Sequence, residues 1–411
     1  MIEIQRHTLD NGLRIVHNKN AATGMVAVNL LYQVGSRNEQ YEYTGMAHLL
    51  EHLMFGGSAN APCFDRILQE AGGENNAWTN NDITNYYEIL PVQNIETALW
   101  IEADRMENLL LGDKALEVQR NVVQEEFKQR CLNAPYGDAG HILRRNVYHC
   151  HPYRWPVIGK SLEDIETVPK EVVRDFYHRF YVPDNAILSV VGNIDSDRLF
   201  RLVEKYFGHI AAGNRPKSVL PAEPRQTEAR VEQVQRNVPH NMLIKAYRMC
   251  DRNSADYHAS DMISDILSNG RSSRFYQNIY AKGNMVSSID ASITGDIDEG
   301  MLVVKAQLLP GVSYEVVEAA IDKELDMLKT QLTDVRELDK LKNRYESNAL
   351  FSNINNDERA ANLAYYEMLG DANMINRVID DYRQTTPEAI RRVSQYLLDE
   401  RNSTTIYYNA K

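Results

Sequence analysis

The sequence predicts an α+β fold of two homologous domains, each an antiparallel-rich sheet with helices packed on one face. Three observations carry this expectation. The length of 411 residues exceeds one ordinary core and suits two units of about 200 residues each. The order of elements repeats between the two halves. The strand candidates, at 25–34, 84–90 and 186–191, are short alternating runs separated by long helical stretches, which favours antiparallel pairing over a doubly wound parallel sheet.

The repeat is clearest at the end of each half. Residues 168–195 and 386–411 each open with a proline (Pro169, Pro387) at the head of an amphipathic helix, pass a polar turn and close in a β-rich strand. A second match pairs 64–77 with 275–288, each a helix ending near a glycine (Gly72, Gly283) and leading into a strand. Between the halves, Gly208, Gly213, Pro216, Pro221 and Pro224 stand among polar residues, as in an extended linker. The expected organisation is an N-terminal domain at 1–213, a linker at 214–228 and a C-terminal homologous domain at 229–411.

Composition is that of a globular protein, 43% hydrophobic and 25% charged. No run of ~18 apolar residues is present to span a bilayer. The N-terminus alternates like a strand and lacks the basic-then-apolar pattern of a secretory signal, so a cytoplasmic location is expected, with the periplasm left open. Cys63, Cys131, Cys150 and Cys250 are scattered without CxxC spacing and read as free thiols. A net charge of −12 disfavours nucleic acid as a partner.

The chemistry concentrates at His48-Leu-Leu-Glu-His52. On a helix, residues four apart lie roughly 40° apart and one turn along. His48 and His52 therefore form a two-imidazole grip suited to Zn²⁺, with Glu51 beside it. The plainer reading is a surface helix with two ordinary histidines. Against it, Met46, Ala47, Leu49, Leu50, Leu53, Met54 and Phe55 make this helix apolar nearly all round, hence buried, and buried His and Glu need partners. The second repeat carries Asp265-Ile-Leu-Ser-Asn-Gly270 at the corresponding place and no metal motif.

A catalytic zinc takes three protein ligands and keeps a position open. The best third ligand lies in the helical stretch 114–130. There Val122 and Val123 mark the inward face, Glu126 follows one turn on, and Glu125 points to solvent. Gln119, seven residues before Glu126, shares the inward face. Taken alone, Glu126 would read as a boundary carboxylate in an ion pair; the neighbouring buried motif favours a ligand.

His-x-x-Glu-His is the inverted zincin order, and the chain resembles the pitrilysin/insulinase family of zinc peptidases, most closely its short-chain branch that includes the mitochondrial processing peptidase. The matching blocks are Gly45-Met-Ala-His-Leu-Leu-Glu-His-Leu-Met-Phe-Gly-Gly57, Glu126, Gly72-Gly-Glu-Asn-Asn-Ala-Trp-Thr79, Asp82-Ile-Thr-Asn-Tyr-Tyr87 and His151-Pro-Tyr-Arg-Trp-Pro-Val-Ile-Gly159. The resemblance implies Zn²⁺ held by His48, His52 and Glu126, with Glu51 as general base. It also implies that Asn76, Ala77 and Trp78 form an edge strand beside the metal, to which an extended, unstructured peptide adds as a further strand.

Two departures stand out. Gln119 replaces the carboxylate that the family usually has there, which removes a charge near the metal helix. In complete members an Arg, with a Tyr seven residues later in the second domain, binds the substrate carbonyl and steadies the oxyanion. Here the aligned positions are Tyr280 and Ser287, and Arg271 and Arg274 stand elsewhere in the segment. The Tyr148-His-Cys-His-Pro152 run reads as a packed structural loop rather than a second metal site. The expectation is a zinc endopeptidase subunit completed by a homologous partner carrying the Arg/Tyr pair, as a heterodimer or a homodimer. The alternative is a non-catalytic scaffold or peptide-binding subunit of the same family.

Overall fold

The computed structural model describes residues 1–213 and 220–411; residues 214–219 of the expected linker lie outside the described residues. The chain divides into two compact units. One comprises Met1–Gln129, Trp155–Leu220 and Ala349–Arg377, and the other Arg130–Arg154, Pro221–Asn348 and Val378–Lys411. Each unit thus takes one segment from the other half of the sequence, so the units are not the contiguous blocks on either side of a linker.

In the first unit β1 (Gln5–Thr8), β2 (Arg14–Lys19), β3 (Met25–Tyr32), β4 (Glu74–Thr79), β5 (Thr84–Pro91) and β6 (Ala186–Gly192) form one six-stranded sheet in the order β1-β2-β6-β3-β5-β4. Every neighbouring pair is antiparallel except β2 with β6. The alternating runs at 25–34, 84–90 and 186–191 are β3, β5 and β6. Because successive side chains of a strand face opposite ways, β3 serves two layers. Ala27 and Leu31 pack with Ile187 and Val191 against Ala360, Leu363 and Ala364 of the helix Asn356–Met368. On the site side, α1 (Met46–Met54), α2 (Phe64–Glu70), α3 (Ile95–Glu107) and α4 (Asp113–Phe127) follow in chain order. Of these, α3 packs on β3 and β5, and α1 lies against α4 and β4.

In the second unit β7 (Arg230–Arg236), β8 (Met242–Arg248), β9 (Val286–Ile293), β10 (Met301–Leu308) and β11 (Ser403–Ala410) form a sheet in the order β7-β11-β8-β10-β9. Only β7 with β11 is parallel. This is the β2-β6-β3-β5-β4 arrangement again, strand for strand, as expected of homologous domains. The repeated proline works similarly in both: Pro169 caps the helix Lys170–Phe180, and Pro387 opens Pro387–Leu397 behind a Thr386 hydroxyl that accepts from the Ala389 N–H at 3.2 Å.

Beneath the end of α1 lies a buried charged cluster. Arg105 of α3 is 1% exposed, and Glu88 and Glu102 are fully buried. The guanidinium donates from Nε to Glu102 at 2.8 Å and reaches Glu88 at 3.4 Å. Its carbon sits 4.2 Å from the Tyr86 ring centroid and 4.5 Å from that of Phe64. Two carboxyl groups share one cation. Burial, reinforced by Glu102, pushes Glu88 well above the usual carboxylate range, so the surplus negative charge is held as a proton. Removing the cation leaves Glu102 buried without its partner. Arg105→Met is therefore expected to destabilise the chain by about 3–5 kcal/mol, read from the urea-unfolding midpoint; a loss under about 1 kcal/mol would show that the cluster does not hold the layer together.

Candidate metal centre

Helix α1 forms because seven of its nine residues are buried: Met46, Ala47, His48, Leu49, Leu50, Leu53 and Met54. Glu51 and His52 are half-buried, so the polar groups leave the core along one flank. The His48 and His52 rings stand edge to face with centroids 4.9 Å apart, as residues one turn apart should.

Packing of α4 on this flank brings in the third group. Glu126 Oε2 lies 3.6 Å from His48 Nε2 and 3.4 Å from His52 Nε2. One ligand-type atom from each of the three residues falls within 4.8 Å of the others. Four donors placed ~2.1 Å from a tetrahedral ion are separated by roughly 3.4 Å, so the two His–Glu separations are those of a pair of ligands. Two imidazoles and a carboxylate are also the donor chemistry that zinc takes in hydrolases. The residues present fit the ion.

The inward face of α4 differs from the expectation in one respect. Val123 is fully buried, whereas Val122 is 45% exposed. Leu116, Val123 and Phe127, at spacings of seven and four, define the buried line, and Val122 lies roughly 100° off it. Glu126 sits roughly 80° to the same side as Val122, on a flank rather than in the core, which suits a ligand at the edge of a site. Gln119 is half-buried on that flank, and Glu125 is exposed and paired with Lys128 at 2.6 Å.

Glu51 is fixed from the sheet. Thr79 at the end of β4 donates its hydroxyl to Glu51 Oε2 at 2.5 Å. Among the described residues β4 is bonded only to β5, so Glu51 touches an edge strand. Asn76, Ala77 and Trp78 lie on that strand opposite Tyr87, Tyr86 and Asn85. Alternation puts Ala77 on the Thr79 side and places Asn76 and Trp78 on the other face, so those two can serve the metal side through their backbone alone.

Sequence reasoning missed Thr79 and Glu39. Helix α1 is preceded by Gly45, which offers no side-chain cap; instead Glu39 accepts from the Gly45 and Ala47 N–H groups at 3.0 and 2.9 Å. Burial pushes this carboxyl up to about 8, against the pull of the N–H groups that donate to it. The available signal was a carboxylate shortly before an apolar helix lacking a capping residue.

The remaining candidate residues have other roles. In the 148–152 run, the N–H groups of His149, Cys150 and His151 all donate to Glu223, and His151 Nε2 lies 3.3 Å from Asp298, which makes it a packed loop. Arg274 is committed to Glu337 at 2.8 Å. Tyr280, Ser287 and Arg271 line a cavity of about 480 Å³ beside β9. Among the described residues, the His48, His52 and Glu126 group is the one cluster of three metal-type ligands.

Comparison with known proteins identifies the family. Residues 14–149 match Insulinase (Peptidase family M16), and residues 167–345 match the Peptidase M16 inactive domain. The zinc protease PqqE of Helicobacter pylori is 32% identical over 413 residues, covering 97% of this chain and 91% of that relative. The chain belongs to the insulinase family, peptidase family M16. An uncharacterized zinc protease of Bacillus subtilis, YmxG, is 26% identical over 97% of this chain and 96% of its own length. The crystal structure of a protease from Helicobacter pylori superposes with a TM-score of 0.93 at 29% identity, each chain covered completely. Pitrilysin shares the fold with a TM-score of 0.79 at 20% identity, and this chain covers 45% of its length. Both curated relatives are named as zinc proteases.

Titrating Zn²⁺ into metal-free protein is expected to fill one tight site, and His52→Ala or Glu126→Ala should weaken it at least about 100-fold while circular dichroism is unchanged. Unaltered binding in both variants would place the metal elsewhere.

Proposed function

We propose that this chain is the metal-bearing subunit of a zinc endopeptidase that hydrolyses unstructured peptides. The observation that carries the reading is the meeting, on one flank of α1, of two imidazoles, a carboxylate from α4 and a Glu51 carboxyl held from an edge strand. Zinc, when bound, supplies a Lewis acid that polarises the scissile carbonyl and acidifies water.

The chain's own residues do the rest. His48, His52 and Glu126 hold the ion. Glu51 accepts the proton of the attacking water and returns it to the leaving nitrogen, and the Thr79 hydroxyl keeps its carboxyl turned to the site. The free edge of β4 takes the substrate as an added antiparallel strand through main-chain hydrogen bonds. Such pairing tolerates many sequences but requires an extended segment, which favours unfolded peptides over folded proteins.

Tyr280 and Ser287 occupy the sequence positions at which the family resemblance implies the Arg/Tyr pair. The reading therefore includes a homologous subunit that supplies this pair, and the coverage of under half of pitrilysin's length is consistent with one half of such an assembly. A homodimer would need other donors to the oxyanion. A scaffold role has less support, since it gives no use to a base fixed beside three metal-type ligands.

Glu51→Gln is expected to keep stoichiometric zinc and lose peptide hydrolysis by at least about 1,000-fold, assayed with the chain alone and with a coexpressed homologue carrying the Arg/Tyr pair. Retained hydrolysis in Glu51→Gln would remove it as the base.

A further inference from the structure

Four contacts converge on the entry to α1. Gly45 adopts φ +86°, a left-handed conformation that glycine takes readily. A Cβ there would meet the Ile158 carbonyl oxygen at 2.9 Å, so the backbone of 158–159 passes directly against the start of the helix. The preceding Thr44 donates its N–H and its hydroxyl to Asp164 at 3.0 and 2.6 Å. Glu39, 7% exposed, accepts from Gly45 and Ala47. Finally, the Trp155 indole N–H reaches both Glu39 Oε2 at 3.1 Å and the Ser36 carbonyl at 3.0 Å.

We propose that Glu39, locked by Trp155, is a positioning residue that sets the rotation and height of the metal helix; this rests on the zinc reading of the site. Its two oxygens are divided between α1 and the indole. Oε1 takes the Ala47 N–H, one residue before His48, while Oε2 takes Gly45 and Trp155 together. A helix start can pivot about one capping bond but not about two that leave different residues toward different oxygens. The indole in turn fixes the carboxyl to the Ser36 backbone, just beyond the β3 end. The helix that carries three of the four functional groups is thereby referenced to the sheet whose edge holds Glu51 through Thr79. A ligand arm ends about 6 Å from the helix axis, so a 10–20° rotation displaces it by roughly 1–2 Å, enough to cost on the order of 100-fold in a reaction that needs aligned groups. The clamp also gives the block His151-Pro-Tyr-Arg-Trp-Pro-Val-Ile-Gly159 a task, at its Trp155 and Gly159 end, that metal ligation does not.

The test uses the full chain with zinc or Co²⁺ and two changes: the near-isosteric Glu39→Gln, which puts an amide N–H₂ where an oxygen accepts, and Trp155→Phe, which removes the indole N–H and keeps a smaller aromatic ring. The clamp predicts zinc affinity lowered about tenfold or more in each, an altered Co²⁺ d–d band, and kcat reduced by about 100-fold with KM within about threefold. Glu39→Asp, which keeps the carboxyl group and its acceptor oxygens, should recover part of each. Variants that melt at lower temperature yet keep the wild-type cobalt band and zinc affinity would overturn the proposal by showing an ordinary stabilising cap. Should Glu39→Gln fail to fold, Trp155→Phe decides alone. Wild-type protein that binds zinc but cleaves no peptide would defeat the peptidase reading, while the affinity and cobalt measurements would still judge the clamp.

Discussion

The site depends on the burial of α1. A helix apolar on nearly every side must lie within the layer between the sheet and its covering helices, and it leaves only one flank on which polar groups can reach solvent. His48, Glu51 and His52 occupy that flank. Burying imidazoles and a carboxyl is tolerable only if other groups meet them, and the packing of α4 and β4 on either side supplies Glu126 and Thr79. The ligands gather because the core folds, and a metal ion would add its binding energy to a geometry already paid for by packing.

The same burial explains the polar clusters under and around the helix. Arg105 with Glu88 and Glu102 closes the layer below the Phe55 end, and Glu39 with Trp155 closes the N-terminal end. Both place ionisable groups in buried positions. Networks of this kind are more demanding of geometry than hydrocarbon packing, and here they flank the helix that carries His48, Glu51 and His52.

Legibility in the sequence followed the range of the interaction. The His48/His52 pair was readable because the spacing of four is a property of any helix, and the strands β3, β5 and β6 because alternation is local. The duplicated topology showed through Pro169 and Pro387. Glu126 was readable only in combination with the buried motif, and the same reasoning put Val122 on the inward face, because two adjacent valines do not say which one lies on the buried line until Leu116 and Phe127 are seen to define it. Glu39, Thr79 and Trp155 were not found as partners of the metal helix, since their contacts cross loops of unrelated length. The exchange of 130–154 and 349–377 between units has no local signature at all: the amphipathic helices concerned read the same whichever sheet they cover.

The two sheets share one topology, yet only the helix after β3 carries two histidines one turn apart; the helix after β8, Tyr257–Ser268, has the single His258 with Asp261 and Asp265. Among the described residues, one fold thus carries a cluster of three metal-type ligands in one copy and none in the other. The central claim is that the first copy holds zinc on His48, His52 and Glu126. Anomalous diffraction on both sides of the zinc edge, from crystals grown with zinc, tests it most directly. The account predicts one strong peak about 2.0–2.2 Å from both Nε2 atoms and from a Glu126 oxygen. A peak away from these three side chains, or zinc bound with Glu126 turned aside, would contradict it.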